Sequence, residues 1–151
     1  MPQFSTRRRV RHTASDMFDL VADVRKYPEF VPMCAAMNVR SETEKGEDVS
    51  VVVAAMTVAY KLIRQTYTSR VTLDRPNMNI LVEYLDGPFS RMQNRWEFSA
   101  IDDKSCDVVF FIDYEFRSRT LSMLMGAMFD TVFRRMASAF EARADAVYGK
   151  R

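Results

Sequence analysis

Residues 119–148 read RTLSMLMGAMFDTVFRRMASAFEARADAVY. Wound at about 3.6 residues per turn, Leu121, Met125, Met128, Phe129, Val132, Phe133, Met136 and Phe140 share one broad apolar stripe. Asp130, Arg134, Ser138, Glu141 and Asp145 fall on the opposite side. Ser118 just ahead supplies an N-cap hydroxyl and Gly149 just past supplies a stop. The spacing therefore predicts one helix over Arg119–Tyr148, ~45 Å long at about 1.5 Å per residue. That is longer than a chain of 151 residues needs merely to close a core. The stripe is also made of Met and Phe rather than Leu and Val. What precedes it must be a surface that curls around this face.

Working back from the helix, the chain reads as strands divided by turns. Cys106 to Arg117, Ser90 to Ile101, Asn79 to Leu85, Leu62 to Leu73, Val49 to Ala59 and Met37 to Thr43 alternate or are too rich in Val for a helix. Asp102–Ser105, Asp86-Gly87-Pro88, Arg75-Pro76-Asn77, Tyr60 or Lys61, and Glu44–Asp48 separate them. At the front, Phe4 to Arg11 is a first strand. Thr13-Ala14-Ser15-Asp16 then opens a short helix running to about Val24. Tyr27–Pro32 breaks it, leaving at most one turn between Pro28 and Pro32. An antiparallel sheet with its helices on one face is an α+β layout, expected as a single domain over 1–151.

Alternation assigns the faces. Val108, Phe110, Ile112, Tyr114 and Phe116 point toward the long helix, as do Met92, Asn94, Trp96 and Phe98. Ile80, Val82 and Tyr84, then Gln65, Tyr67, Ser69 and Val71, then Ala54, Met56 and Val58 continue that face. The inner face is aromatic-rich with a few neutral polar groups. Every carboxylate on these strands lands outside or in a turn.

Composition excludes several classes. With 48% hydrophobic and 28% charged residues the chain is globular, and it has no apolar run of membrane-spanning length. MPQFSTRRRVRH has arginines with no apolar stretch behind them, so it is not read as a secretory signal. Cys34 and Cys106 lie far apart with no metal-ligand spacing, which fits reduced thiols in a cytoplasmic protein. A net charge of +2 does not argue for nucleic acid, and no DNA partner is expected.

Several phrases resemble the bacterial and mitochondrial coenzyme Q-binding proteins. They are Val24-Arg25-Lys26-Tyr27-Pro28-Glu29-Phe30-Val31-Pro32-Met33-Cys34, Thr66-Tyr67-Thr68-Ser69-Arg70-Val71, Leu85-Asp86-Gly87-Pro88-Phe89, Asn94-Arg95-Trp96-Glu97-Phe98 and Phe116-Arg117-Ser118-Arg119. The resemblance runs from about Phe4 to Tyr148, with Leu62 and Ile63 where many relatives carry a glycine. These proteins are similar to the wider superfamily of steroidogenic-acute-regulatory-related (START) lipid-transfer domains and polyketide cyclases. The resemblance implies a helix-grip fold, a curved antiparallel sheet wrapped around the long C-terminal helix, with an apolar tunnel between them. It implies binding of ubiquinone in support of respiratory electron transport. A close branch, the ribosome association toxin A proteins, implies instead a regulator that binds the large ribosomal subunit and hinders subunit association.

The residues themselves carry little catalytic chemistry. The only histidine is His12, and no carboxylate or thiol is placed by sequence to partner it. There is no Ser-His-Asp arrangement, no metal-ligand cluster and no phosphate loop among four glycines. An enzyme is not expected, nor a cofactor beyond a bound ubiquinone or similar polyprenyl lipid. A Met and Phe stripe is most often plain core. Met, however, adapts to variable guests, and Met92, Met123, Met125, Met128 and Met136 are expected to face one space. The expected ligand-binding set is Tyr67, Tyr84, Asn94, Trp96, Phe110, Tyr114, Met125, Met128, Phe129, Phe133 and Met136, with Asn94 and Tyr67 donating to head-group oxygens. Tyr27, Phe30, Val31 and Phe89, in proline-bearing loops, are the expected tunnel mouth, dipping transiently into a membrane surface. Arg7, Arg8, Arg9, Arg11, Arg134 and Arg135, if clustered, would meet lipid phosphate or the large ribosomal subunit. The expected location is the cytoplasm, peripheral to the inner membrane.

Overall fold

The computed structural model describes residues 3–60 and 62–149; for Tyr60 and Met128 it describes the backbone alone. Strand β1 (Gln3–Val10) leads to helix α1 (Ala14–Ala22) and a 3-10 helix over Val24–Glu29. Then come β2 (Cys34–Gly46), β3 (Val49–Tyr60), β4 (Ile63–Asp74), β5 (Asn79–Asp86), β6 (Phe89–Ala100), β7 (Cys106–Phe116) and α2 (Arg119–Tyr148). The seven strands form one antiparallel sheet in the order β1-β7-β6-β5-β4-β3-β2. Consecutive strands pair as hairpins, so β1 alone crosses over to close beside β7. This is the helix-grip layout: α2 lies across the concave face of the curved sheet and packs chiefly on β7, β1 and α1.

Local chemistry sets the ends of these elements. The Thr13 hydroxyl accepts from the amide of Asp16 at 3.0 Å, and the Ser118 hydroxyl accepts from that of Leu121 at 3.1 Å. Gly149 ends α2 with φ +88°, a backbone angle that suits a residue without a Cβ. Two expectations shift. The extra turn is the 3-10 helix Val24–Glu29, which takes in Pro28 as its fifth residue instead of lying between the prolines. The strand β2 runs on to Gly46, since pairing with β3 extends to Gly46↔Val49 and leaves Glu47 and Asp48 as the turn. The β3–β4 ladder closes at Tyr60↔Ile63; Lys61, one of the two expected reversal points, lies outside the described residues.

The face assignment holds at atomic level. Val108, Phe110, Ile112, Tyr114 and Phe116 are all buried, as are Met92, Asn94, Trp96 and Phe98. Met125, Phe129, Val132, Phe133, Met136 and Phe140 of α2 are buried against them. Met123, expected to face the same space, is 84% exposed, because helical winding puts it on the side of α2 opposite the stripe.

The polar side of α2 is not simply solvated. Arg8 reaches Glu141 at 2.7 Å, and His12, fully buried, donates from Nε2 to Asp145 at 2.8 Å. The expectation that His12 has no carboxylate partner is therefore corrected. Asp145 comes from 133 residues away, a distance along the chain that spacing cannot bridge.

On the convex face, Arg7 and Arg9 of β1 both grip Asp107 of β7, at 3.2 and 3.1 Å. Arg91 of β6 holds Asp113 and Glu115 at 3.1 and 2.9 Å. The Arg9 guanidinium, seconded by Arg7, holds the Asp107 carboxyl below its ordinary value. A depressed carboxylate lends stability that is complete above its unfolded-chain pKa, about 3.9, and is lost as pH falls through the lower folded value. Asp107→Asn is therefore expected to be less stable than the parent at neutral pH. It should then lose less on further acidification from pH 5 to 2, as followed by thermal unfolding at each pH.

Candidate functional site

Between α2 and the concave face lies a hollow whose unfilled space, open solvent at its edge included, is about 780 Å3. Only about 70 Å3 of it admits the centre of a water-sized sphere. The hollow is thus slender, though roughly five times what a single water needs. Its walls come from β2 to β7, the 3-10 helix and α2. Met37, Met56, Met92 and Met136 give it flexible sides.

The structure brings together Tyr67, Asn94, Trp96, Phe110, Phe129, Phe133 and Met136 of the expected ligand set, with Tyr27, on this wall. It leaves others off it. Met125 is completely buried away from the hollow, and Tyr84 and Tyr114 belong to an aromatic cluster at one end. The side chain of Met128 lies outside the described residues. Met37 is on this wall without being in the expected set, because the strand Met37 to Thr43 carries no clear alternation to assign its face. Ala54, Met56, Val58, Ser69, Val71 and Val82 were read as inward-facing but given no role.

The expected mouth is corrected. Phe89 is 1% exposed and is the hub of the aromatic cluster, with ring centroids 5.4 Å from Tyr67, 5.5 Å from Tyr84, 5.0 Å from Phe116 and 5.6 Å from Phe129. Gly87, with φ +143°, tucks the β5–β6 turn under Tyr67, so the chain enters β6 pointing Phe89 inward. Val31 is buried. Phe30 packs edge-on to Phe140 at 5.0 Å beneath the Arg143 guanidinium, which also grips Glu29 at 2.7 Å. Both proline loops are thus clamped to the body.

The polar groups on the wall are few and neutral. Asn94 is occupied at both ends: Nδ2 donates to the Phe111 carbonyl at 2.8 Å, and Oδ1 accepts from the Trp96 indole at 3.1 Å. Among the described residues the Tyr67 hydroxyl makes one weak contact, 3.4 Å from the sulfur of Met56. The Tyr27 hydroxyl donates to the carbonyl of Val21. Burial pushes the Tyr27 and Tyr67 hydroxyls well up, so both stay protonated. Nearby Cys34 is pushed up to about 11 by burial and stays a thiol. His12 and Asp145 lie outside this wall. Among the described residues no Asp, Glu, Lys, Arg or His lines the hollow, and no three His, Cys, Asp or Glu side chains gather as metal ligands. No described helix is long and apolar enough to cross a membrane.

Such a wall can enclose an uncharged, largely apolar molecule and orient it by hydroxyls. A curved sheet gripping a long helix is also the fold of a START superfamily protein from Mycobacterium smegmatis, with TM-score 0.79 and 15% identity, covering 96% of this chain and 98% of that one. The chain belongs to the polyketide cyclase / dehydrase and lipid transport family, whose profile matches residues 10–141. It is 33% identical over 151 residues to the ribosome association toxin RatA of Escherichia coli (strain K12), covering all of this chain and 92% of that one. It is 30% identical to the mitochondrial coenzyme Q-binding protein COQ10 homolog B of Xenopus laevis, covering 98% of this chain and 60% of that protein. The fold is also that of the Zhui aromatase/cyclase from Streptomyces sp. R1128, with TM-score 0.78, 19% identity and 99% of both chains covered.

Proposed function

We propose that this protein is a non-enzymatic carrier of ubiquinone or a similar uncharged polyprenyl lipid, held in the hollow beneath α2 and delivered at a membrane face in support of respiratory electron transport. The observation that carries this reading is the wall itself: apolar, Met-rich, and without an ionised side chain among the described residues. The relative named as a coenzyme Q-binding protein supports the same guest. Apolar burial at about 25 cal/mol per Å2 supplies most of the affinity. A polyprenyl chain exceeds the present space, so this reading requires α2 to move away from the strands it does not chiefly pack on, β2 to β6.

The direct test is organic extraction of the purified protein, together with uptake of quinone from loaded vesicles. Recovering no quinone from the protein and seeing no uptake from the vesicles would sink the reading. A sharper test fills the hollow. Ala54→Met should cut uptake at least tenfold while unfolding stability is unchanged or rises by about 0.5–2 kcal/mol, as cavity-filling changes do. Loss of uptake accompanied by loss of folding would not support it.

A second reading, a ribosome-binding regulator that hinders subunit association, is favoured by the 33% identity to a relative named ribosome association toxin across this whole chain. The arginines expected to serve it are largely engaged: Arg7 and Arg9 with Asp107, Arg8 with Glu141, and Arg134 with Asp130. Salt-sensitive co-sedimentation with purified large subunits is its test.

A further inference from the structure

We propose that the Ser69 hydroxyl reads the polar end of the guest, so that the hollow selects an uncharged apolar molecule bearing an oxygen over a plain hydrocarbon. This rests on the carrier reading and names the contact that makes the carrier selective. Ser69 is 5% exposed and sits on the wall of the hollow, midway along β4. Its neighbours across the sheet are Ala54 on β3 and Tyr84 on β5. Ala54 offers only a methyl. The Tyr84 hydroxyl is drawn off to accept from the Phe89 amide at 3.1 Å. Among the described residues, no hydrogen bond to the Ser69 hydroxyl forms.

Ser69 lines the hollow, and a hydroxyl turned to so apolar a space is unfavourable unless something there meets it. Folding alone would be better served here by Ala or Val, the residues that hold the same face at Ala54 and Val71. Two positions along the strand, a backbone step of ~7 Å at about 3.3 Å per residue, Tyr67 carries a hydroxyl whose one contact among the described residues is the Met56 sulfur. Asn94, also polar and also on the wall, is spent on Phe111 and Trp96. The hydroxyls of β4 are thus the available hydrogen-bonding floor of an otherwise greasy space. Carbonyl, ether or hydroxyl oxygens satisfy them. A carboxylate or phosphate does not fit, because no cation faces the hollow among the described residues.

The test uses the full chain and its single tryptophan, Trp96, which lines the hollow and reports quinone by quenching. A short-chain ubiquinone is titrated directly, and a branched hydrocarbon of matching length is titrated by displacement. Ser69→Ala should weaken the quinone about tenfold, the worth of one good hydrogen bond. It should leave the hydrocarbon unchanged and keep or raise the unfolding midpoint. Ser69→Thr, which retains the hydroxyl, should keep quinone affinity within about twofold. Unchanged quinone binding in Ser69→Ala overturns the assignment, as does an equal loss for both guests or a fall in the unfolding midpoint. If the unaltered protein binds neither guest, the carrier reading itself goes, and this inference with it.

Discussion

Phe129→Ala is expected to lower folding stability by about 3–5 kcal/mol, the range for removing a buried aromatic ring. Phe129 is 2% exposed, and its ring meets Phe116 at 5.4 Å, Phe89 and Phe133 at 5.6 Å, and Tyr114 at 6.1 Å. It joins α2 to the aromatic cluster and also borders the hollow. The void left by the ring therefore opens into existing space, and the surroundings cannot collapse onto it. Urea unfolding should show a lower midpoint with an unchanged slope. The same enlargement admits a wider guest, so added quinone should return part of the loss, about 2.7 kcal/mol at a hundred times the dissociation constant. A variant destabilised by less than about 1 kcal/mol would mean that α2 is not anchored through this ring. One that quinone fails to restabilise would mean that the guest sits elsewhere.

Gly87→Ala should cost about 3 kcal/mol or more, from backbone strain and overpacking together. The turn holds Gly87 at φ +143°, and a Cβ there would stand 2.6 Å from the Cβ and 2.9 Å from the Cα of Tyr67. Neither is the free end of a flexible side chain. Relief requires the β5–β6 turn to lift from β4, which withdraws Phe89 from its cluster and moves Tyr67 on the wall of the hollow. Stability and quinone affinity should therefore fall together. Gly46→Ala, with nothing within 4 Å of the added carbon, should stay within about 0.5 kcal/mol in the same unfolding assay. Equal tolerance at both positions would contradict this account of the turn.

The strands were legible because alternation and turn chemistry are local. Val49–Tyr60 is too Val-rich for helix, and the Asp74–Asn77 turn closes on the Asp74 carboxylate, which accepts from the Asn77 amide and side chain at 3.3 and 3.0 Å. Inward positions such as Trp96, Phe110 and Ile112 followed from period two. The candidate site was legible only as a face. Alternation placed Asn94 and Ser69 on it alike, and nothing in their spacing says that Asn94 is tied at both ends while Ser69 is not. Phe89 was misread for the same reason: beside Gly87 and Pro88 it looks like a loop tip, but the turn folds it inward. His12 was misread because its partner lies on the far end of α2.

By itself the sequence determined the element order, the ends of α2, the face each strand turns inward and the membership of a family, because each depends on neighbours a few residues apart or on phrases read in line. Only the tertiary structure decided how large the hollow is, which polar groups on its wall are spent, that the proline loops are clamped down, and that Arg7, Arg8 and Arg9 are engaged with carboxylates. These depend on contacts across the sheet and between β1 and α2, where residues more than ninety positions apart meet within about 3 Å. Sheet curvature and helix placement, not local pattern, fix such distances.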